Sequence, residues 1–480
     1  MAFKDNRQFL KALEKSGDAI RIKQEVDWDL EAGAICRRAW ELGAPAPFFE
    51  KVKDYPAGFR LFGSPVVGQR RIAVAMGLSP DAPRQVLQTE YERRIQHPIK
   101  PVIVSTGPCQ DNILTGDNVD LFRFPVPMIH EGNGGRYIGT WHLIIIRDPD
   151  SDWVNWGMYR VMVHNRNNVG IMLTMSNQGG RIFFMKYAAR KKPMPIAIAI
   201  GADPVSSLVA AYIIKEGSNE VDYSGALSEQ PVELVKCRTS DLLVPAHSEI
   251  VLEGEVWPGA AMPEGPFGEF TAYRTSCESR DVCRINAITY RNDPILTMVS
   301  VGGPGKGGEG SPTALFYETE LKKLLKEHGV PVTDVYIPPE ATNFIVIVGV
   351  RRTTHSNMAV KVKHVVKSYR DTFDKIIVVD DDIDVFNLSD VVHALATRCH
   401  PERGVSIDKR DNPSSLTPYL TSEERRWGQG ASILFDCTWP AQWAAHNIPQ
   451  KISFNEAYPD GVKEKVLNDW EKYGFPNNKF

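Results

Sequence analysis

The sequence predicts a fold of the α/β plus β class in three parts, and the main observation behind this is a change of pattern along the chain. Helical and strand-like segments alternate in residues 1–112, strand-like runs dominate residues 113–305, and the alternation returns in residues 306–454. The length of 480 residues also exceeds what one hydrophobic core usually serves. We therefore expect an N-terminal α/β domain, a central β domain and a C-terminal α/β domain, with a terminal helix in residues 455–480.

The N-terminal and central parts differ in the spacing of their apolar residues. Residues 9–13 fit one face of a helix that ends at Gly17, and the run 19–22 predicts a strand. The central part instead contains the strand-like runs 141–146, 159–163 and 285–290, interrupted by a helical segment at 183–190. The central part is therefore predicted to be mainly β.

The C-terminal part returns to helices and buried strands. The expected elements are, in order, a helix over 315–328 ended by Gly329, a strand over 343–350, a helix over 356–369 capped by Ser356, and a strand over 376–379. In the terminal helix, residues 460–473, the apolar residues on one face are Val462, Val466, Leu467 and Trp470. An apolar terminal helix needs a docking surface, which another subunit can provide.

Composition and charge exclude several classes of function. The formal net charge is −3, so no broad basic field is offered to nucleic acid or to an anionic membrane. The seven cysteines form no two-residue-spaced pair, which indicates neither a zinc knuckle nor a disulfide framework. The first residues lack the apolar core of a signal peptide, and the longest apolar stretch, 196–214, is broken by Asp203 and Pro204. We expect a cytoplasmic protein with no membrane segment.

A glycine-rich segment, residues 303–308, formally matches a dinucleotide-binding loop. The match uses Pro304 and Lys306 as variable positions, and residues 309–313 separate the segment from the next helix. The acidic residue that would bind the ribose at the end of a second strand is also absent from the sequence that follows. We interpret the segment as an interdomain linker or lid. A nicotinamide site is the weaker interpretation.

The most informative stretch is residues 263–269, Pro-Glu-Gly-Pro-Phe-Gly-Glu. Glu264 and Glu269 are five residues apart, so a regular strand or helix would point them in different directions. The glycines and prolines favour a shaped turn on which the two carboxylates can converge. By residue type alone, two solvated glutamates at a loop edge would be the commoner explanation, and acid/base chemistry is the functional one.

Three further motifs place this stretch in a wider pattern. They are Trp-Val-Asn-Trp-Gly-Met-Tyr-Arg at 153–160, Glu-Gly-Ser-Asn-Glu-Val-Asp-Tyr at 216–223, and the aspartate-rich run 380–384. Their order and spacing resemble the UbiD-type family of reversible decarboxylases, which use prenylated flavin mononucleotide (prenylated FMN). The resemblance covers nearly the whole chain. It implies that the central domain is a split β-barrel that holds the flavin.

By this resemblance, Arg160, Glu264 and Glu269 are the catalytic residues. Arg160 would orient the substrate carboxylate and pair with Glu264, because a planar guanidinium suits a carboxylate. Glu269 would donate a proton to the carbon that loses carbon dioxide. The cofactor must provide the electron sink, since no side chain can. On spacing alone, a cross-strand ion pair would explain Arg160 equally well.

The resemblance also implies how the flavin is held. A divalent ion, usually manganese, with a potassium ion beside it, would neutralise the flavin phosphate, and oxygen ligands suit both ions. The implied divalent ligands are Asn155, Gln178 and Glu220, and carbonyl groups near the potassium ion belong to Trp156, Ala210 and Tyr212. The implied cofactor-binding residues are Asn155, Met158, Tyr159, Arg160, Met172, Leu173, Thr174, Asn177, Gln178 and Glu220. Without the resemblance, Asn155 would be a turn residue and Glu220 a surface acid.

The chain departs from the family at the third divalent ligand. The family usually supplies a histidine there, whereas residues 172–180 contain none. Asn177 or Gln178 must then contribute an amide oxygen, which binds a hard cation more weakly. His164 could serve only if the local path of the chain differs, and a surface histidine near a turn is the simpler explanation.

The expected function is non-oxidative, reversible decarboxylation of an aromatic, heteroaromatic or α,β-unsaturated carboxylic acid. Carbon dioxide is released in this direction and consumed in the reverse direction. The resemblance also implies a homo-oligomer, either a dimer or a hexamer. It further implies a prenyl-flavin synthase that supplies the cofactor. The lost histidine suggests an alternative, an accessory subunit that binds the flavin phosphate without turnover. A nicotinamide-dependent dehydrogenase ranks third. The presence of Arg160, Glu264 and Glu269 together favours the enzyme.

Overall fold

The computed structural model of the chain describes residues 3–300, 302, 312–352, 357–370, 373–411 and 413–476. Within these residues the α-helices are α1 (Asn6–Ser16), α2 (Glu31–Leu42), α3 (Gln69–Ala75), α4 (Arg84–Ile95), α5 (Gln178–Ile182), α6 (Pro204–Ala211), α7 (Glu220–Ser228), α8 (Ala314–Glu327), α9 (Met358–Tyr369), α10 (Leu388–Thr397), α11 (Ser422–Trp427) and α12 (Asp460–Asn468). None of these helices is both long enough and apolar enough to cross a membrane.

The strands run through all three parts of the chain. They are β1 (Ala19–Val26), β2 (Ala46–Val52), β3 (Arg60–Gly63), β4 (Val102–Val104), β5 (Asn112–Thr115), β6 (Tyr137–Gly139), β7 (His142–Arg147), β8 (Val154–Gly157), β9 (Val161–Val163), β10 (Asn168–Ile171), β11 (Met194–Ile200), β12 (Glu233–Lys236), β13 (Leu243–Pro245), β14 (Ile250–Glu264), β15 (Glu278–Tyr290), β16 (Ile295–Met298), β17 (Val332–Tyr336), β18 (Ile345–Val350), β19 (Lys375–Asp380), β20 (Val405–Asp411) and β21 (Gln429–Cys437).

The N-terminal sheet has the order β1-β2-β3-β16, with β1 parallel to β2 and β16 parallel to β3. Helix α1 buries Phe9, Leu10 and Leu13 and ends at Gly17, which has a left-handed φ of +77°, as predicted. The strand predicted at 19–22 extends further as β1. Strand β16 returns from the end of the central segment, and pairing between residues so distant in sequence leaves no local pattern to predict it from.

The central sheet is antiparallel and curls into a half-barrel, in the order β6-β9-β10-β15-β14-β11-β7-β8, with β5 paired to β15. Alternate residues of β7 enter two different cores: Ile144 and Ile146 pack with β10 and β15, while Leu143 and Ile145 pack with α6, α7 and the small sheet β13-β12-β4. Both faces of the sheet are covered, which explains the unbroken apolar run in the sequence.

Two predictions for this region need correction, and both concern residues next to the site. The strand predicted over 159–163 is shorter, because β9 begins only at Val161 and the Tyr159 carbonyl is bonded to the imidazole of His142 and not to a backbone N–H of a neighbouring strand. The helix predicted over 183–190 begins earlier, at Gln178. It continues as the π-helical turn Phe183–Tyr187 and a 3-10 turn.

The C-terminal sheet has the order β17-β18-β19-β21-β20, with parallel pairs between β18, β19 and β21. The helix predicted over 315–328 is α8, followed by a left-handed Gly329, and the predicted strands 343–350 and 376–379 are β18 and β19. The predicted cap Ser356 and the glycine-rich residues 303–308 lie outside the described residues.

The N-terminal and C-terminal domains share one apolar core. Tyr91 of α4 stacks on Phe316 of α8 with ring centroids 4.6 Å apart. Arg84 of α4 donates from Nε and Nη2 to the two carboxylate oxygens of the buried Glu318 at 2.8 and 2.7 Å. These contacts fix α8 against the N-terminal domain.

The terminal segment is far less buried. Helix α12 covers the first part of the predicted span 460–473, the 3-10 turn Glu471–Tyr473 follows, and Gly474 has a left-handed φ of +90°. Val462 and Leu467 are 46% and 63% exposed. The apolar face of the helix is therefore largely exposed on this chain.

Candidate active site

The turn after β14 brings the two predicted glutamates together. Glu264, the last residue of β14, is fully buried. Gly265 follows with a left-handed φ of +87°, and a Cβ there would lie 2.6 Å from a neighbouring carbonyl oxygen, so only glycine fits. The Gly134 N–H donates to the Pro266 carbonyl at 2.8 Å and fastens the turn to the segment before β6. The chain reverses here, and Glu269 faces the same point as Glu264.

That point is the guanidinium of Arg160. Its Nε and Nη2 donate to the two oxygens of Glu264 at 2.9 and 2.7 Å, and its Nη1 donates to Glu269 Oε1 at 2.5 Å. All three side chains are buried. Burial lowers the pKa of Arg160, but the bonds and charges of the two glutamates outweigh this effect and raise the pKa above its ordinary value. Arg160 therefore remains a cation that serves both carboxyl groups.

Tyr137 completes this cluster, although nothing in the sequence argument singled it out. Its Oη donates to Glu264 Oε1 at 2.8 Å, and its ring lies 4.3 Å from the ring of Phe267. Burial and the neighbouring Glu264 raise the pKa of Tyr137 above its ordinary value, so the hydroxyl stays a donor. The guanidinium of Arg160 lies 5.3 Å from the Phe267 ring centroid, in cation–π range.

His142 is a second residue next to the site that the sequence did not indicate. Its imidazole is fully buried, and Nε2 lies 3.0 Å from the Tyr159 carbonyl oxygen. Because a carbonyl only accepts, Nε2 carries the proton. Burial lowers the pKa of His142 to about 4, so the ring is neutral at pH 7. The bond fixes the backbone immediately before Arg160.

The predicted divalent ligands form a second buried cluster. The Asn155 amide nitrogen Nδ2 donates to Gln178 Oε1 at 2.9 Å and to Glu220 Oε1 at 3.2 Å. The Trp156 N–H donates to the other Glu220 oxygen at 2.9 Å. Asn155 lies on β8, whereas Gln178 and Glu220 are the first residues of α5 and α7. One strand and two helix starts therefore bring these side chains together.

Glu220 is the unusual member of this second cluster. It is 1% exposed, and burial raises the pKa of its carboxyl group to about 8. Within the described part of the chain no lysine, arginine or histidine pairs with it, and its partners are the Trp156 N–H and the Asn155 amide. The same residues contain no group of three His, Cys, Asp or Glu side chains that could hold a metal. A cation here would use amide oxygens beside Glu220 and would supply the positive charge that the carboxylate lacks.

Tyr159 joins the two clusters. Its Oη donates to Asn155 Oδ1 at 3.0 Å and accepts the Gly179 N–H at 3.1 Å. The next residue along the chain is Arg160. One short segment after β8 therefore places the predicted catalytic arginine and orients the amide of the second cluster.

The remaining predicted cofactor-binding residues are spread around these clusters. Asn177 caps α5, since its Oδ1 accepts the backbone N–H of residue 180 at 2.7 Å, and its Nδ2 donates to the Met172 carbonyl and to Thr174 Oγ1 at 3.2 and 3.0 Å. Leu173 is buried in the central core. Met158 is half-buried against the core shared by the terminal domains. Of the two amides considered as the third ligand, Gln178 lies in the cluster with Glu220, and Asn177 caps the helix.

The residues predicted near the potassium ion fall into two places. Trp156 and Ala210 pack in the same apolar cluster as Val221 of α7. Tyr212 follows α6 and directs its hydroxyl toward the C-terminal domain, 3.2 Å from Tyr369 Oη.

His164 lies beside the first cluster. A Cβ at Gly170 would be 2.7 Å from His164 Nε2 and 3.2 Å from Glu264 Cγ, so these two side chains flank the same backbone. Burial lowers the pKa of His164.

Family models match almost the whole length of the chain. The 3-octaprenyl-4-hydroxybenzoate carboxy-lyase N-terminal domain matches residues 10–89, the Rift-related domain of that carboxy-lyase matches 100–304, and its C-terminal domain matches 313–437. With the fold described above, these matches define a three-domain carboxy-lyase. The chain belongs to the UbiD family.

Individual proteins show the same likeness. The pyrrole-2-carboxylic acid decarboxylase of Pseudomonas aeruginosa is 34% identical, and ferulic acid decarboxylase 1 of Saccharomyces cerevisiae is 31% identical, each alignment covering 98% of both chains. The structure of the UbiD-class enzyme HmfF from Pelotomaculum thermopropionicum in complex with FMN is 27% identical with a TM-score of 0.83, covering 97% of this chain and 100% of that one. An evolved dimeric form of HmfF in complex with prFMN is 25% identical with a TM-score of 0.79, covering 96% and 100%. The predicted family and fold class are confirmed, and a flavin cofactor is supported.

Proposed function

We propose that this chain is a non-oxidative, reversible decarboxylase that uses prenylated FMN. The observation that carries the proposal is the buried guanidinium of Arg160, which holds Glu264 on one side and Glu269 on the other. A subunit that only bound the flavin phosphate would have no physical need for these three groups together. The accessory-subunit alternative is therefore less well supported.

The proposed substrates are aromatic, heteroaromatic or α,β-unsaturated carboxylic acids. The two relatives are decarboxylases of pyrrole-2-carboxylic acid, which is heteroaromatic, and of ferulic acid, which is aromatic and α,β-unsaturated. In both acids the bond to the carboxylate starts from an unsaturated carbon. Loss of carbon dioxide leaves an electron pair there that the carbon alone cannot hold, and prenylated FMN, when bound, supplies the electron sink.

The residues of the first cluster bind the acid and move the proton. Nη1 and Nη2 of Arg160 each carry two N–H groups, so donors remain for the substrate carboxylate beyond those that the glutamates use. Glu264 holds the guanidinium in place, and Tyr137 in turn holds Glu264. Glu269 delivers a proton to the carbon that loses carbon dioxide and removes it in the carboxylation direction.

The second cluster is proposed to neutralise the flavin phosphate. Asn155, Gln178 and Glu220 would bind a divalent ion, manganese in this proposal, and the carbonyl groups of Trp156, Ala210 and Tyr212 would bind potassium. The support is the buried carboxylate of Glu220, which has no cationic partner within the described residues and whose pKa is raised to about 8. Met158, Tyr159, Arg160, Met172, Leu173, Thr174 and Asn177 would line the flavin.

The assembly belongs to the same proposal. Three domains over residues 1–112, 113–305 and 306–454 would form the subunit, and residues 455–480 would dock on another subunit of a dimer or hexamer. The exposed Val462 and Leu467 support this, because an apolar helix face is normally covered. A prenyl-flavin synthase would supply the cofactor.

Cofactor content and carbon dioxide release test the proposal together. Protein produced with a prenyl-flavin synthase should contain modified flavin by mass spectrometry and a divalent ion by elemental analysis. It should release carbon dioxide from at least one acid in a panel of pyrrole, furan, indole, benzoic and cinnamic carboxylic acids. Colourless, metal-free protein that leaves the whole panel intact would overturn the assignment.

A further inference from the structure

The segment between α6 and α7 connects the second cluster to the rest of the molecule. The Ile214 carbonyl accepts a hydrogen bond from Gln178 Nε2 at 2.9 Å. Further along, the Ser218 carbonyl accepts from Trp153 Nε1 at 2.9 Å, and the segment ends at Glu220. The position of this segment therefore determines where two of the three proposed ligands lie.

The bond to Ile214 matters because the proposed third ligand, Gln178, is an amide. An imidazole presents its nitrogen in a fixed direction, whereas an amide can rotate and exchange its oxygen for its NH2 group. With Nε2 held by the Ile214 carbonyl, Oε1 of Gln178 is directed toward Asn155, whose Nδ2 lies 2.9 Å away. A weak ligand is thereby fixed in the orientation that binding requires.

The start of the same segment is held by two tyrosines of the C-terminal domain. Tyr317 of α8 accepts the Ile213 N–H on its Oη at 3.4 Å, and its ring lies 4.7 Å from that of Tyr212. Tyr369, the last residue of α9, places its Oη 3.2 Å from Tyr212 Oη. Both hydroxyl groups contact residues directly before Ile214.

Packing makes this attachment rigid. Tyr212 and Tyr317 are 7% and 2% exposed. Phe316 of α8 packs edge-on against Tyr212 with centroids 5.7 Å apart and stacks on Tyr91 of α4. The Arg370 guanidinium lies 3.9 Å from the Tyr317 ring centroid. Since two rings of α8, those of Phe316 and Tyr317, pack on Tyr212, it cannot shift without moving α8.

We propose that Tyr317 and Tyr369 are positioning residues through which the docked C-terminal domain sets the cation affinity of the Asn155–Gln178–Glu220 cluster. The route runs from their hydroxyl groups to Tyr212 and Ile213, then through the Ile214 carbonyl to Gln178. This inference rests on the proposed function, because it takes the cluster to be the cation site beside the flavin phosphate. Coupling of this kind is reciprocal, so cation and flavin binding also strengthen docking of the C-terminal domain.

The test uses the full-length protein, unmodified FMN as the probe and Mn²⁺ as the cation. Tyr317→Phe, Tyr369→Phe and the double variant keep the rings and remove only the hydroxyl groups. Tyr419→Phe is the matched control, because it removes a tyrosine hydroxyl bond to Asp374 inside the C-terminal domain, away from the α6–α7 segment. Flavin fluorescence measures FMN binding across a Mn²⁺ titration, and thermal unfolding of each protein without ligands measures general stability.

The Mn²⁺ concentration for half-maximal FMN binding should rise about three- to tenfold in the double variant, the effect of one to two lost hydrogen bonds. Saturating Mn²⁺ should restore FMN binding, and Tyr419→Phe should match the unchanged protein in its Mn²⁺ dependence. Equal Mn²⁺ dependence in all variants would overturn the inference and leave the proposed function standing. An equal rise of the half-maximal Mn²⁺ concentration in Tyr419→Phe would have the same consequence. If the unchanged protein binds FMN without any Mn²⁺ dependence, the cation site itself is wrong. If the double variant does not fold, Tyr369→Phe alone decides by the same criterion.

Discussion

The two buried acidic clusters of this enzyme differ in the partners of their carboxyl groups. Around Arg160, one guanidinium serves two carboxyl groups, and Tyr137 adds a hydrogen bond to Glu264. Around Glu220, a carboxyl group is buried with only neutral donors among the described residues, and its pKa is raised to about 8. In the first cluster the carboxyl groups are paired with a cation of the chain itself, whereas in the second a bound cation would have to supply that partner. Changes in the first should therefore alter chemistry, and changes in the second should alter cofactor retention.

The largest effect is expected from Glu269→Gln. The amide keeps the shape of the side chain and can still accept from Arg160, but it has no transferable acid proton. Turnover should fall by about 10²-fold or more, the usual contribution of a positioned acid, while flavin content stays unchanged. Carbon dioxide release and flavin absorbance measure the two quantities. Glu278→Gln, a change at an exposed glutamate on β15, is the control. Turnover within a few-fold of the unchanged enzyme would assign the proton transfer to another residue.

Arg160→Lys tests the cation of the first cluster, in place of its carboxyl groups. A lysine keeps the positive charge but cannot bond both oxygens of Glu264 and Glu269 Oε1 at once. We expect kcat/KM to fall about ten- to a hundredfold, in line with the loss of one charge-assisted hydrogen bond. Steady-state kinetics at several substrate concentrations provide the measurement. Retained kcat/KM would show that the substrate carboxylate is bound elsewhere.

Glu220 of the second cluster should make the free energy of unfolding depend on pH. The Glu220 pKa is raised in the folded protein, so the stability that its protonated form contributes is fully present below its unfolded pKa and is lost as the pH rises through about 8. Without metal, the free energy of unfolding should fall between pH 5 and 8 by up to a few kcal/mol relative to Glu220→Gln. Added Mn²⁺ should reduce this fall in the unchanged protein only.

Denaturant unfolding at several pH values measures the difference. Glu216→Gln, at an exposed glutamate in the same α6–α7 segment, is the control and should keep the pH slope of the unchanged protein. An identical slope in Glu220→Gln would mean that the carboxyl group is compensated in some other way.

The smallest effect is expected from restoring an imidazole to the second cluster. Gln178→His should retain Mn²⁺ more tightly against a chelator, because imidazole is the stronger ligand. Asn177→His should not, because that side chain caps α5 through its Oδ1. Metal content after chelator dialysis distinguishes the two variants. Tighter retention in Asn177→His alone would place the third ligand at residue 177.

The two clusters also differ in how far the sequence could predict them. The turn at Glu264 and Glu269 was predictable from its glycines and prolines, and the structure confirms that the two side chains meet. The convergence of Asn155, Gln178 and Glu220 rested on resemblance to a family, because residues on β8, α5 and α7 share no local pattern. Sequence periodicity predicted helices and strands of the two terminal α/β domains, because buried strands and helices of ordinary length have a clear apolar periodicity.

What the sequence could not show depends on tertiary contacts. Tyr137 lies 127 residues before Glu264 in the chain. The local signal is the glycine-containing run 132–135 beside it, where Gly134 packs on the Gly265 carbonyl. In the sequence His142 is one residue of an apolar strand, and only the structure shows its bond to the Tyr159 carbonyl. The same bond explains why the strand predicted over 159–163 begins two residues late. Sequence periodicity records burial, but it does not record which distant groups share a hydrogen bond.

The central claim, that Glu269 transfers a proton at an Arg160-bound acid, is tested most directly by hydrogen–deuterium exchange. Exchange at the product's reactive carbon is the reverse of the last step of decarboxylation, and it needs no second protein. Purified enzyme with mature cofactor, incubated in deuterated buffer with phenols, pyrroles, furans, indoles and styrenes, should label at least one compound, and Glu269→Gln should abolish that labelling. Labelling that persists in Glu269→Gln, or that appears only when another protein is added, would contradict the account.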